Sequence, residues 1–356
     1  MRQTHIQLLT REQMVYLEKR AIERGRPSSD LMEAAGQGVI NVLRNMFNGL
    51  QGQCISILCG KGKNGGDGFV VARLAAAEGA TVSILLFASK DDVQTDAHLH
   101  LKRAQTNGLE IQEILKPEDL YKVDQKLSSA DVALDALLGT GVQGGPKGLL
   151  GKAIGLLSKA ECPVVAIDLP SGLNPDTGST DGPCAIAART ITFGLPKRGH
   201  FFYPGRLVCG QLFVVDIGLP VTFDAIDSVQ AKLIAAHGGS SLLPKRVPVA
   251  HKGEVGRILL IAGSAGLTGA ATLSASAALR GGAGMVTVGV PESLNDILEI
   301  KLTEAMTFPL PEVRNARCLS LQAKREIKNL IAKADSLVLG PGLGTHRETI
   351  DLVKNL

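Results

Sequence analysis

One arrangement recurs along most of this chain: a short apolar run, a glycine-dense loop, then a stretch with the spacing of an amphipathic helix. Strands are expected at residues 54–59, 81–87, 109–114, 131–137, 164–169, 189–193 and 211–215. Helices fit 68–78, 92–106 and 147–159, after a helical stretch over 10–45 in which Ser28, Ser29 and Asp30 offer an N-cap. Strands that alternate with helices make a mostly parallel sheet covered on both faces, since each parallel pair needs a crossover. The expected fold class is therefore α/β, with a Rossmann-like, doubly wound, mostly parallel sheet over 1–220. A connection over 221–245 follows, and a second α/β pattern begins at 246, with strands at 257–262, 284–290 and 335–339. That leaves about 110 residues and three clear strands, a small sheet to bury its own apolar faces.

Composition narrows the function classes. Lys+Arg exceeds Asp+Glu by 38 − 34 = 4, spread along the chain rather than gathered in a stripe. With 9 Phe, 3 Tyr and no Trp, there is little for nucleotide bases to stack on, so no nucleic-acid partner is expected. The six cysteines, Cys54, Cys59, Cys162, Cys184, Cys209 and Cys318, form no CxxC pair and several sit in apolar runs. Buried free thiols and a cytoplasmic location follow, with no apolar leader at the N-terminus. Residues 258–279 are 22 uncharged positions, long enough for a bilayer. Gly263, Gly266 and Gly269 break them into strand, turn and helix, so no membrane span is expected.

Three glycine-rich segments carry the candidate chemistry. The first, GKGKNGGDG from Gly60 to Gly68, contains a literal GxGxxG. A dinucleotide dehydrogenase also needs an acid ending the second strand, whereas this one ends LLFASK with Asp91 only after Lys90. Glycines let backbone N–H groups approach an anion, and Asn64 and Asp67 suit a hydroxyl or a hard cation. An ordinary tight turn with Asp67 as N-cap is the bland alternative. The second segment, Asp135 to Gly145, reads DALLGTGVQGG, and a carboxylate near the end of a buried strand is costly unless paired or ligating. The third, DLPSGL from Asp168, again ends a strand. If the strands are parallel, all three meet on the edge where such sheets bind ligands. Elsewhere, His98 and His100 read as surface residues, and Lys197 and Arg198 as solvated loop charges or a phosphate contact.

Taken together, NGGDG (64–68), DALLGTG (135–141), DLPSG (168–172), FGLPKRG (193–199) and VVDIGLP (214–220) resemble the NAD(P)H-hydrate epimerase domain of the bifunctional NAD(P)H-hydrate repair enzymes. The segments HKGEVGRILLIAGSAGLTGAA (251–271), ALRGGAGMVTVGVPE (278–292) and LVLGPGLG (337–344) resemble the start of the ribokinase-like, ADP/ATP-dependent dehydratase domain of that family. The resemblance implies epimerisation of (R)- and (S)-NAD(P)H hydrate at C6, on NADHX or NADPHX as substrate. It implies a potassium site at Asn64, Asp135 and Ser171; for the proton transfers that inversion needs, Asp168 is the expected general acid/base. The hydrate would be held by Lys63, Asn64, Gly65, Gly66 and Asp67, by Gly139, Thr140, Gly141, Val142, Gln143, Gly144 and Gly145, and by Asp168. In the second region Ala270, Gly342 and Gly344 would lie near it. Lys63 departs from the family, which commonly has a second Asn there. The family's later His-containing loop and GTGD segment do not occur before Leu356, so the second domain is expected to be incomplete, with ADP or ATP bound only if it were whole. A homo-oligomer is expected. A non-enzymatic nucleotide-binding module and an NAD-dependent dehydrogenase are the competing readings.

Overall fold

In the computed structural model the described residues are 5–141, 144–220, 231–234, 239, 243 and 248–356. The expected connection over 221–245 lies largely outside them. The chain divides into two compact units, Met1–Leu242 and Leu243–Leu356.

The first unit opens with β1 (His5–Gln7), α1 (Arg11–Glu23) and α2 (Ser28–Phe47). It then alternates β2 (Cys54–Cys59), α3 (Lys63–Ala77), β3 (Thr81–Leu86), α4 (Thr95–Thr106), β4 (Ile111–Glu113), α5 (Leu120–Ser128), β5 (Val132–Ala136), α6 (Gly148–Leu157) and β6 (Val164–Ile167). After β7 (Arg189–Phe193), the short α7 (Gly205–Val208) and β8 (Gln211–Val215), β9 (Lys232–Ile234) pairs antiparallel with β1. The main sheet has the order β4-β3-β2-β5-β6-β7-β8, every neighbouring pair parallel.

Alternation along the strands feeds two separate cores. Ile55, Ile57 and Cys59 of β2 turn to one face, where they pack with Leu31, Val39, Ile40 and Leu43 of α2 and with Phe69 and Val71 of α3. Leu58 turns to the other face with Leu85 and Ala133, beneath Val123 and Leu127 of α5 and Ile154 and Leu157 of α6. Each such Leu, Ile or Phe contributes about 1.5–3 kcal/mol of burial. Helices on both faces of a parallel sheet make the fold doubly wound, as expected.

Two helix boundaries differ from expectation for physical reasons. Helix α2 begins at Ser28, inside the expected cap, because Pro27 supplies the fixed φ of the N-cap and no side chain caps the end. Helix α3 begins at Lys63, so Asn64–Gly68 is its first turns rather than a loop, and Asp67 is not an N-cap. Its glycines serve close approach. A Cβ on Gly65 would lie 1.8 Å from the Gly60 carbonyl oxygen, and one on Gly66 2.6 Å from the Met32 sulfur. Helix α5, only nine residues long and entered through a 3-10 turn over Pro117–Asp119, was not expected.

The second unit has parallel strands β10 (Arg257–Ile261), β11 (Met285–Pro291) and β12 (Met306–Leu310), the pair β13 (Glu312–Val313) and β14 (Cys318–Leu319), and β15 (Ser336–Leu339). Its sheet order is β12-β11-β10-β15, one strand more than the sequence reading found; Pro309 disguised β12. The stretch 258–279 is strand, turn and helix, and no helix among the described residues is long and apolar enough to cross a membrane. All six cysteines are free.

Candidate active site

Strands β2, β3 and β4 run outward from the middle of the main sheet in one direction, and β5 to β8 in the other. The order therefore reverses between β2 and β5, and loops leaving the carboxyl ends of those strands diverge to leave a crevice. A cavity of about 680 Å³ lies there. Its floor is Gly60–Asn64 and Asp67 from the start of α3, with Leu137–Gly141 after β5 and Asp168 after β6. Arg11, Met14, Val15 and Glu18 of α1 and Leu31, Met32 and Ala35 of α2 form an apolar wall. Helix α1 is tied to the rim by the Arg11 guanidinium, which donates to the Gly141 carbonyl at 3.2 Å, and by Lys63 paired with Glu18 at 2.8 Å.

Asp168 is the most constrained residue of the floor. It follows directly on β6 with φ +65°, a left-handed conformation that costs a residue bearing a Cβ. Three contacts hold it there. The Lys197 ammonium donates to its carboxylate at 2.5 Å, the Thr192 hydroxyl donates at 3.0 Å, and His200 Nε2 lies 3.0 Å from its backbone oxygen. Lys197 is wholly buried and also donates to Thr192 Oγ1 at 2.8 Å. Burial pushes the Asp168 carboxyl up, but the Lys197 charge and its hydrogen bond outweigh this and hold it below the usual value. Asp168 is thus ionised near neutral pH. Asp67 behaves in the opposite way: burial first, then the charges of Asp168 and Glu18, push it well above its usual value.

His200 receives the Lys197 backbone N–H on Nδ1 at 3.1 Å, which leaves Nε2–H to donate to Asp168. Burial, then the Lys197 charge, lower its pKa to about 4. The unfolded chain protonates this ring near its ordinary 6.5, so acid favours the unfolded state. Stability from this group is full above 6.5 and falls by about 3 kcal/mol as pH drops to 4. Asp135, raised to about 6, works in the opposite sense over the same window. The readout is therefore a difference: in urea unfolding at pH 7 and pH 4, wild type loses about 3 kcal/mol more than His200→Gln. Equal losses in the two proteins would contradict this role.

Behind the floor lies a buried oxygen cluster. Asp135, at 0% exposure, receives the Ser171 N–H at 2.7 Å and the Ser171 hydroxyl at 2.5 Å. The Leu138 N–H donates to Ser171 Oγ at 2.9 Å, and Asn64 Nδ2 donates to the Leu138 carbonyl at 3.0 Å. Asn64 Oδ1 is buried with no partner among the described residues. Burial raises Asp135, against the hydrogen bonds from Ser171 and Leu137. An amide oxygen with no partner among the described residues, a buried carboxylate and a serine hydroxyl are a hard donor set. Among the described residues, no group of three His, Cys, Asp and Glu could hold a metal.

The structure thus brings Lys63, Asn64, Asp67, Gly139, Thr140, Gly141, Gly145 and Asp168 onto one cavity. Gly65 and Gly66 do not line it, because both are spent on packing. Gly144 borders a small neighbouring cleft with Pro170 and Gly172. Val142 and Gln143 lie outside the described residues. Asp135 and Ser171 reach the cavity only through Leu138 and Asn64. In the second unit, a Cβ on Gly342 would lie 3.1 Å from that of Ala270, and Gly344 faces Ser264, whose hydroxyl donates to the Gly342 carbonyl at 2.8 Å. Sequence reasoning missed the roles of Lys197, His200 and Glu18. Lys197 is no solvated charge: the parallel bridge from Leu9 closes over it. His100 is also buried rather than on the surface, 3.8 Å from Glu33.

A doubly wound sheet with two carboxylates of opposed character in a cavity at its switch point defines an α/β protein built to act on a small ligand there. Residues 28–199 match the family described as YjeF-related protein N-terminus, and residues 258–356 match NAD(P)H-hydrate dehydratase. The bifunctional NAD(P)H-hydrate repair enzyme Nnr of Moorella thermoacetica is 43% identical over 98% of this chain and 66% of its own length. That of Pyrobaculum aerophilum is 32% identical over 98% of this chain and 67% of its own. The crystal structure of yeast YNL200c shares the fold, with a TM-score of 0.51 and 19% identity over 65% of this chain and 96% of that one. This chain belongs to the family of bifunctional NAD(P)H-hydrate repair enzymes, with an epimerase-type and a dehydratase-type domain. It spans about two thirds of the length of the relatives it matches (66%, 65% and 64% for three of them). The comparisons lend no support to an incomplete dehydratase domain, to a non-enzymatic module or to a dehydrogenase.

Proposed function

We propose that the region 1–220 interconverts the (R) and (S) epimers of NADHX and NADPHX at C6, and that the region from 246 serves the ADP/ATP-dependent dehydratase of the same repair reaction. The observation that carries the first assignment is Asp168, held ionised by a wholly buried lysine on the floor of a cavity large enough for a nicotinamide nucleotide. C6 of the hydrate bears a hydroxyl beside the ring nitrogen. Inversion requires that hydroxyl to leave and water to return on the other face, and each event moves a proton. An ionised Asp168 accepts the proton of the returning water, and its negative charge stabilises the cationic ring that forms when hydroxyl departs. The apolar wall from α1 and α2 excludes bulk water, and the Gly139–Gly141 backbone offers polar groups to the substrate's pyrophosphate.

The oxygen cluster fits potassium, with Asn64, Asp135 and Ser171 as its protein ligands. Bound there, the ion supplies a fixed positive charge that ties the start of α3 to the loops after β5 and β6. The same reading has it act in the cytoplasm, as a homo-oligomer.

The cation assignment has a readout besides activity. Binding only to the folded state at 100 times its Kd adds about 2.7 kcal/mol. Wild type should therefore melt several degrees higher in KCl than in NaCl of equal ionic strength, and interconvert hydrate epimers faster. Asp135→Asn should abolish the difference. Equal melting and equal rates in the two salts would contradict the site.

A further inference from the structure

Asp168 cannot by itself begin the reaction assigned above. A hydroxyl is a poor leaving group until protonated, and an ionised carboxylate has no proton to give. The same cavity holds a second carboxyl. Asp67 projects from the first turns of α3, lines the cavity, and has no hydrogen-bond partner among the described residues, in contrast to Asp168 with its lysine and threonine donors. It is 9% exposed, so little bulk water solvates it.

We propose that Asp67 is the general acid of this site, protonating the C6 hydroxyl as it leaves. This rests on the epimerase reading. Asp67 gives its proton to the hydroxyl oxygen, the C6–O bond breaks, the ring-nitrogen lone pair forms N1=C6, and the hydroxyl leaves as water. Water then adds to the opposite face of C6, the N1=C6 pair returns to nitrogen, the released proton passes to Asp168, and exchange with solvent discharges Asp168 and reprotonates Asp67. The only net change is the configuration at C6.

The surroundings of Asp67 suit this assignment. The groups that face it are Asp168 after β6, Glu18 on α1, Lys63 on its own helix and Lys197 beyond Asp168. Burial and the two carboxylates outweigh the two ammonium groups, so Asp67 holds its proton to higher pH than Asp168 does. Two titratable groups driven apart in one cavity divide the acid and base roles between them.

Asparagine distinguishes proton transfer from mere binding, because its amide keeps a hydrogen-bond donor but has no transferable proton. With (R)-NADHX as probe, Asp67→Asn should lower kcat by about 10²–10⁴-fold while KM stays within a few-fold. Wild-type kcat should fall as pH rises and Asp67 ionises, and Asp67→Glu, which restores a carboxyl, should regain that alkaline limb. An Asp67→Asn variant as fast as wild type would overturn the assignment and leave the epimerase reading standing. So would a wild-type profile with no alkaline limb, which needs no variant to fold. A wild-type protein that does not interconvert the epimers refutes the epimerase reading instead.

Discussion

Lys197→Met should lose about 3–5 kcal/mol of stability and nearly all epimerase activity. The lysine side chain is wholly buried, and its ammonium is what keeps the half-buried Asp168 charged. A lone buried carboxylate costs far more than the pair, which is why breaking such a pair is so destabilising. Without the ammonium, burial dominates and drives the Asp168 carboxyl upward until it holds a proton, so the base is lost with the stability. Urea unfolding measures the first effect. A double-mutant cycle separates pairing from packing: Lys197→Met/Asp168→Asn should be more stable than Lys197→Met alone, since no uncompensated charge remains. If the double variant loses the sum of the two single effects, the pair is not coupled as described.

Asp168→Asn is the second large effect. The amide fills the same space and still accepts the Lys197 and Thr192 hydrogen bonds, but it can neither take up a proton nor balance a cationic ring. The expected result is a fall of about 10²–10⁴-fold in kcat with KM little changed. Steady-state rates on folded protein, verified by circular dichroism, decide the matter. Wild-type kcat in the variant would remove Asp168 from the chemistry and leave it a structural ion-pair partner.

Local patterns in the chain were sufficient for the strands of the main sheet and for the edge where ligands bind. Periodic apolar runs such as 54–59 and 164–167 announce buried parallel strands, and parallel pairing places the segments after 59, 136 and 167 side by side. Asp135 and Asp168 were readable because a carboxylate at the end of an apolar strand needs a reason, and Asn64 and Asp67 because they stand in a glycine-dense run after a strand. What stayed hidden depends on distant segments. Lys197 looks like any loop lysine until Leu9, far away in sequence, bridges to it. The ionisation of Asp67 and Asp168 is likewise a property of their neighbours, and neither Lys197 nor Glu18 adjoins them in the chain. Nor does GKGKNGGDG say whether its glycines bend a loop or admit neighbours. All but Gly62 admit neighbours: the Gly60 carbonyl sits where a Gly65 side chain would be.

Incubating the purified chain with a single (R) hydrate of NADH and following the epimers by chiral chromatography or proton NMR puts the whole proposal at stake. The result expected is approach to an epimer mixture at a rate far above that of buffer, in potassium, and slowed at least a hundredfold by Asp168→Asn. A time course no faster than buffer, or one that the substitution leaves untouched, would contradict it.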